Sequence, residues 1–235
     1  MILKWCGHEW LTKERWGDIH PDKTFCWYDS KAVEIDNNGF LHLKTKLNSK
    51  HFEDIGVRSE VGVGLVSCLT HFSFGSFEIE CKLPTGSNLW PAFWLYSFQS
   101  WPPEIDIFEA YSNNKSSYFD FDIKNPLKFW NLKSCLHYGT VDNHQNITDK
   151  KSFFGFKNPR KSFIKYRCDW YPDRIDIFYN GWKVRSITDS EVLSQLNGKT
   201  MNVIINNSIT QNSSIIDFKE SDFIIKYFKY TKFNF

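Results

Sequence analysis

The stretch Glu104-Ile105-Asp106-Ile107-Phe108-Glu109 constrains this chain more than any other. Its β-branched and aromatic residues favour a strand, yet carboxylates set among them are costly to bury. Glu104 and Asp106 lie two apart, so they leave the same face of a pleated strand. Glu109 lies five beyond Glu104, and strict alternation sends it to the opposite face. One extra residue taken up at Ile107-Phe108 as a β-bulge restores the phase and turns Glu109 beside its partners. The expectation is three acids on one surface, with Ile105 and one bulge residue pointing into a core. Aligned carboxylates repel, so at least one resists ionisation and the set titrates as a unit.

Such a set suits a glycosidic bond, where one carboxylate attacks and another delivers a proton. Carboxyls about 5–5.5 Å apart mark the retaining form of that reaction, and long side chains leaning inward across a bulged strand can reach it. The alternative is a solvated acidic strand face. An internal control bears on the choice: Arg174-Ile175-Asp176-Ile177-Phe178-Tyr179 repeats the frame with Arg and Tyr where the two Glu stand. The frame makes a strand without chemistry, and the flanking Glu pair is what needs explaining. Upstream, Trp90, Ala92, Trp94 and Tyr96 alternate with Pro91, Phe93 and Leu95, which sets two indoles on one face beside the acidic strand.

Leu89-Trp90-Pro91-Ala92-Phe93-Trp94-Leu95, followed by Trp101-Pro102-Pro103 and the acidic strand, closely resembles the signature of glycoside hydrolase family 16. The bulged spacing is similar to that of laminarinases, agarases and carrageenases rather than lichenases. The resemblance extends to Gly64-Leu65-Val66-Ser67, Phe74-Gly75-Ser76-Phe77-Glu78, His137-Tyr138-Gly139, the run from Tyr166 to Ile175 and the last strand around Tyr227. It implies an all-β jelly-roll sandwich of two curved antiparallel sheets with an open concave cleft, built as one catalytic domain over residues 1–235. It implies a retaining endo-β-glycosidase acting on a polysaccharide, with β-1,3-glucan the first choice and a β-galactan of agar, carrageenan or host-glycan type the second. By that resemblance Glu104 attacks, Glu109 is held protonated by its neighbours and gives up its proton, and Asp106 hydrogen-bonds Glu104 between them. Trp90, Trp94, Trp101 and Trp130 are expected along the substrate path, with His137 near the acid/base and Asn206 facing the substrate. A non-catalytic glycan-binding module and a transglycosylase on the same fold are the alternatives. Many members hold a structural calcium with an Asp on the closing strand; Lys226 stands there instead, so that metal site is not expected, and no cofactor is expected either.

Aromatic residues make up 18% of the chain, a surplus that suits sugar faces as well as a core. A net charge of +2 without a basic arm gives no support to nucleic-acid binding. Six cysteines lack a Cys-x-x-Cys pair, so a zinc site is not expected and buried free thiols are the default, while the even count leaves disulfides open, with Cys6–Cys26 the pair favoured by proximity. No apolar run is long enough for a membrane helix, and the first residues lack a secretory h-region. A soluble monomer is expected, acting inside a cell, released by lysis, or shown without its leader. Residues 1–30 read as an irregular lead-in, and 110–134 and 142–160 as long loops bordering the cleft. Gly62-Val63-Gly64 lacks the context of a phosphate loop.

Overall fold

The computed structural model describes residues 1–20, 23–97, 99–111, 131–152, 157–210 and 219–234. Period-2 patterning builds the strands: Gly75–Lys82 alternates buried and half-buried residues along its whole length. Two sheets result. The first holds eight strands in the order Ile2–Trp5, His8–Leu11, Leu65–Cys68, Asn202–Ile209, Leu89–Tyr96, Glu104–Glu109, Asn131–Gly139 and His144–Ser152. The second runs Trp182–Ile187, Ile175–Tyr179, Ile164–Trp170, Gly75–Lys82, Ser221–Lys232, Leu41–Phe52, Val57–Val63 and Trp27–Tyr28, with Val33–Ile35 added beside Leu41–Phe52. Among the described residues pairing is antiparallel, except that Trp27–Tyr28 lies parallel to Val57–Val63. The architecture is the expected all-β sandwich.

The core lies between the sheets. Phe93, Leu95 and Ile105 of the first meet Phe77, Ile79, Tyr166 and Ile175 of the second, all at most 1% exposed. Each such aliphatic or phenyl side chain is worth about 1.5–3 kcal/mol against exposure. Gly64 belongs to this packing and not to a ligand loop: a Cβ there would stand 2.6 Å from the Ala32 carbonyl oxygen and 2.8 Å from Leu43 Cα. Among the described residues no helix is long and apolar enough to cross a membrane. The short α-helix Ser190–Ser194 is capped by Asp189, which accepts from the N–H groups of Glu191 and Val192.

Four expectations are corrected. Residues 1–30 are not merely a lead-in: Ile2–Trp5 and His8–Leu11 form a hairpin through Cys6 and Gly7, both at positive φ. A two-residue turn of that kind is ordinarily signalled by Asn-Gly, and here the sequence shows none. Residues 144–152 form a strand paired along all of Asn131–Gly139 rather than a loop. At the sheet edge its residues are largely exposed, so no buried alternation marks it. The sequence reads as a strand over Lys31–Asp36, but only Val33–Ile35 is strand, because Asp29 caps a 3-10 turn over Ser30–Ala32. Finally, Cys6 and Cys26 are not paired. Cys6 sulfur accepts from the Phe228 N–H at 3.3 Å, and all six cysteines are free.

Candidate active site

The acidic strand sits between Leu89–Tyr96 and Asn131–Gly139. Glu104 lies opposite Tyr96 and His137, and Asp106 opposite Trp94 and Cys135. Both registers then slip, between Asp106 and Phe108 on one side and between Asp106 and Glu109 on the other. Beyond the slip Glu109 pairs with Ala92 and Lys133. This is the expected bulge, and it places Glu104, Asp106 and Glu109 on the wall of one cleft of about 580 Å³. Ile107 and Phe108 are both fully buried, where only one had been expected to turn inward.

A bulge leaves backbone groups without their ladder partners. The Ile107 carbonyl accepts from the Tyr179 hydroxyl at 2.9 Å, a buried bond across the sandwich. Tyr179 is the residue that replaces the second Glu in the repeated frame, so the repeat braces the strand it resembles. Asp176 of that repeat is compensated by Ser186, Arg174 and Lys183 and takes no part in the cleft. Tyr179→Phe is expected to leave the Ile107 carbonyl unpaired and cost about 1–3 kcal/mol in urea denaturation. Wild-type stability in that variant would remove the hydroxyl from this role.

The three acids have unequal surroundings. Glu104 Oε2 accepts from Trp101 Nε1 at 2.7 Å, and its Oε1 lies 3.8 Å from His137 Nε2. Burial, then repulsion from Asp106, pushes Glu104 up to about 8. Burial and the charge of Glu109 likewise raise Asp106 far above the usual carboxylate range. His137 Nε2 stands 3.2 Å from Asp106 Oδ2. Burial draws His137 down, but a hydrogen bond with Cys135 and the charge of Glu104 leave it raised. Glu109 has the most donors: Trp90 Nε1 at 3.1 Å and the Tyr111 hydroxyl at 2.6 Å reach Oε1. Lys133 Nζ lies 2.9 Å from Oε2, close enough for an ion pair though not aligned as a hydrogen bond. Burial draws Lys133 down, but Glu109 first, with Cys135 and Asp106, leaves it raised.

The indoles do more than offer flat surfaces. Trp90 is stacked on Tyr111, with ring centroids 5.1 Å apart, and Lys23 Nζ stands 4.5 Å from its centroid. Its ring is engaged within the protein, and its N–H orients Glu109. Trp101 orients Glu104 in the same way. Trp94 donates to Asn206 Oδ1 at 2.8 Å, while the Asn206 amide donates to the Trp90 carbonyl and the Ser208 hydroxyl. All of these line the cleft with His137. Trp130 lies outside the described residues.

Three cleft residues escaped the sequence reading. Lys133 shares the strand face of Cys135 and His137 at spacings of two, a signal hidden by reading 110–134 as a loop. Tyr111 was visible only as part of that loop's aromatic content. Glu14 is 1% exposed, accepts from the Tyr96 hydroxyl at 3.1 Å, and is raised by burial to about 8. Nothing around it in sequence marks a carboxyl that the fold carries into the cleft.

Residues 21–214 match the family described as Glycosyl hydrolases family 16. The chain is 26% identical over 116 residues to the endo-1,3-1,4-beta-glycanase ExsH of Rhizobium meliloti (strain 1021), covering 45% of this chain and 25% of that protein. It is 25% identical over 173 residues to a glucan endo-1,3-beta-glucosidase of Cryptopygus antarcticus, covering 69% of this chain and 44% of that one. The chain thus spans less than half the length of these curated relatives. The LamA catalytic domain of Zobellia galactanivorans superposes with a TM-score of 0.71 at 18% identity, covering 92% of this chain and 87% of that domain. That last likeness is one of fold.

Proposed function

The chain belongs to glycosyl hydrolases family 16, and on that premise we propose that it is a retaining endo-β-glycosidase. The first candidate substrate is β-1,3-glucan, and the second a β-galactan of agar, carrageenan or host-glycan type. The observation that carries the reading is the bulge, which gathers Glu104, Asp106 and Glu109 on one cleft wall.

In this reading Glu104 attacks the anomeric carbon and Glu109 protonates the departing oxygen, then activates water. The proton balance is informative. Attack needs Glu104 to give up the proton that burial favours there, and Lys133 Nζ stands 2.9 Å from Glu109 Oε2. His137 Nε2 stands 3.8 Å from Glu104 Oε1 and 3.2 Å from Asp106 Oδ2, so these two groups flank Glu104.

The test is incubation with laminarin, mixed-linkage glucan, agarose, carrageenan and mucin-type glycans, scored for new reducing ends. Retention of a glycan without cleavage would replace the enzyme by a binding module. Longer products on adding an oligosaccharide acceptor would mark a transglycosylase. Trp94→Ala is expected to raise KM on the cleaved glycan roughly tenfold with a smaller change in kcat, since a stacked sugar is held about equally before and during reaction. Loss confined to kcat would argue against a platform there.

A further inference from the structure

Two neighbouring strands place a thiol and an imidazole on the face that bears the acids. Cys135 lies opposite Asp106, and His137 opposite Glu104. Asp106, Cys135 and His137 each turn one donor atom toward the others, all within 4.8 Å. His137 Nε2 stands 3.2 Å from Asp106 Oδ2 and 3.8 Å from Glu104 Oε1. Around tetrahedral zinc, with metal–nitrogen and metal–oxygen bonds near 2.0–2.1 Å, such donor atoms stand about 3.3 Å apart, and somewhat more with sulfur. The His–Asp edge already has that length. The widest separation has to close by about one ångström.

We propose that Asp106, Cys135, His137 and Glu104 form a site for a thiophilic divalent cation, zinc above all, and that its binding blocks the cleft's carboxylates. The donor set argues for the class of ion: one thiolate, one imidazole and two carboxylates select zinc-like metals over calcium or magnesium, which take oxygen alone. The next layer of contacts fits as well. His137 Nδ1 is 2.8 Å from His144 Nε2, which leaves Nε2 directed at the acids. Cys135 Sγ is 3.0 Å from the Thr148 hydroxyl. Contacts of this kind fix the orientation of metal ligands.

Charge favours the ion too, because crowded, buried carboxyls gain from a divalent neighbour. Glu104, Asp106 and His137 line the open cleft, and the thiol of Cys135, 1% exposed, has its sulfur within 4.8 Å of donor atoms of Asp106 and His137, so a metal entering by the cleft has the thiol within reach. As the metal–sulfur bond forms, the thiol proton leaves to solvent. No Cys-x-x-Cys spacing announces the site, because its ligands come in pairs two apart on adjacent strands.

The test uses Co²⁺ as a spectroscopic probe and Zn²⁺ as the inhibitor. Cys6 is the exposed thiol, so titrations are made in a Cys6→Ser background. A thiolate-to-cobalt absorption band saturating at one equivalent is expected, displaced by Zn²⁺ and absent from Cys6→Ser/Cys135→Ser. Serine retains a hydroxyl for Thr148, and Cys135→Thr is the second variant should the first fail to fold. Zn²⁺ is expected to inhibit glycan cleavage, with the half-inhibiting concentration raised at least roughly tenfold in Cys135→Ser. No cobalt band, or the same band without Cys135, overturns the site; a band with undiminished turnover overturns the inhibition. The inhibition arm rests on the hydrolase reading and the cobalt arm does not, so failure of one is distinguishable from failure of the other.

Discussion

Replacing Glu104 by Gln is expected to cut release of reducing ends by roughly 10⁴–10⁶-fold while leaving the sandwich intact, the size of loss seen when a nucleophile is removed. The amide keeps the shape and one acceptor for Trp101, so the loss reports chemistry rather than collapse. Turnover within tenfold or so of wild type would end the assignment. The same variant makes a prediction about stability. In the folded protein Glu104 is raised from its ordinary 4.5 to about 8 by burial and by Asp106. The folded state therefore holds this proton more tightly than the unfolded chain. Stability is fully present below pH 4.5 and is lost as pH rises through about 8. The loss should be on the order of 2–4 kcal/mol, short of the single-site maximum because the acids titrate together. Glu104→Gln cannot ionise. Its melting temperature should exceed that of wild type at pH 8 and converge with it near pH 4, with a residual slope from Glu14, also raised to about 8. Parallel pH curves for the two proteins would contradict the burial of a neutral acid at this position.

The second large effect concerns Glu109. Glu109→Ala is expected to lose roughly 10²–10⁴-fold on a polysaccharide, the usual worth of a positioned proton donor. On an aryl β-glycoside whose phenolate departs unaided, formation of the glycosyl-enzyme should be nearly unimpaired. Added azide should then restore turnover by taking the place of the activated water. Equal losses on both substrates would mean that Glu109 acts structurally, as an anchor for Lys133, Tyr111 and Trp90, rather than as an acid.

The sandwich and its acidic strand were legible because both are written in local periodicity. Strands buried on one face show period-2 alternation, as at Gly75–Lys82, and a spacing of five between carboxylates that must share a face demands a bulge. The hairpin Ile2–Leu11 and the strand His144–Ser152 were not legible. The first turns on a dipeptide with no turn signature, and the second is an edge strand with little buried pattern. The disulfide expected from proximity failed because closeness in sequence did not bring Cys6 and Cys26 together across the fold.

What the sequence alone determined, then, is which residues share a strand face: Glu104 with Asp106, Trp90 with Trp94, and, had the strand been seen, Lys133 with Cys135 and His137. What only the tertiary structure decided is who faces whom. Tyr179 braces a bulge 72 residues away, Lys133 neutralises Glu109, Glu14 enters the cleft from the N-terminal segment, and Cys135 comes to lie beside Asp106. Side-chain direction follows from backbone alternation within a few residues, whereas partners across a sheet or a sandwich are fixed by the register of strands far apart in the chain.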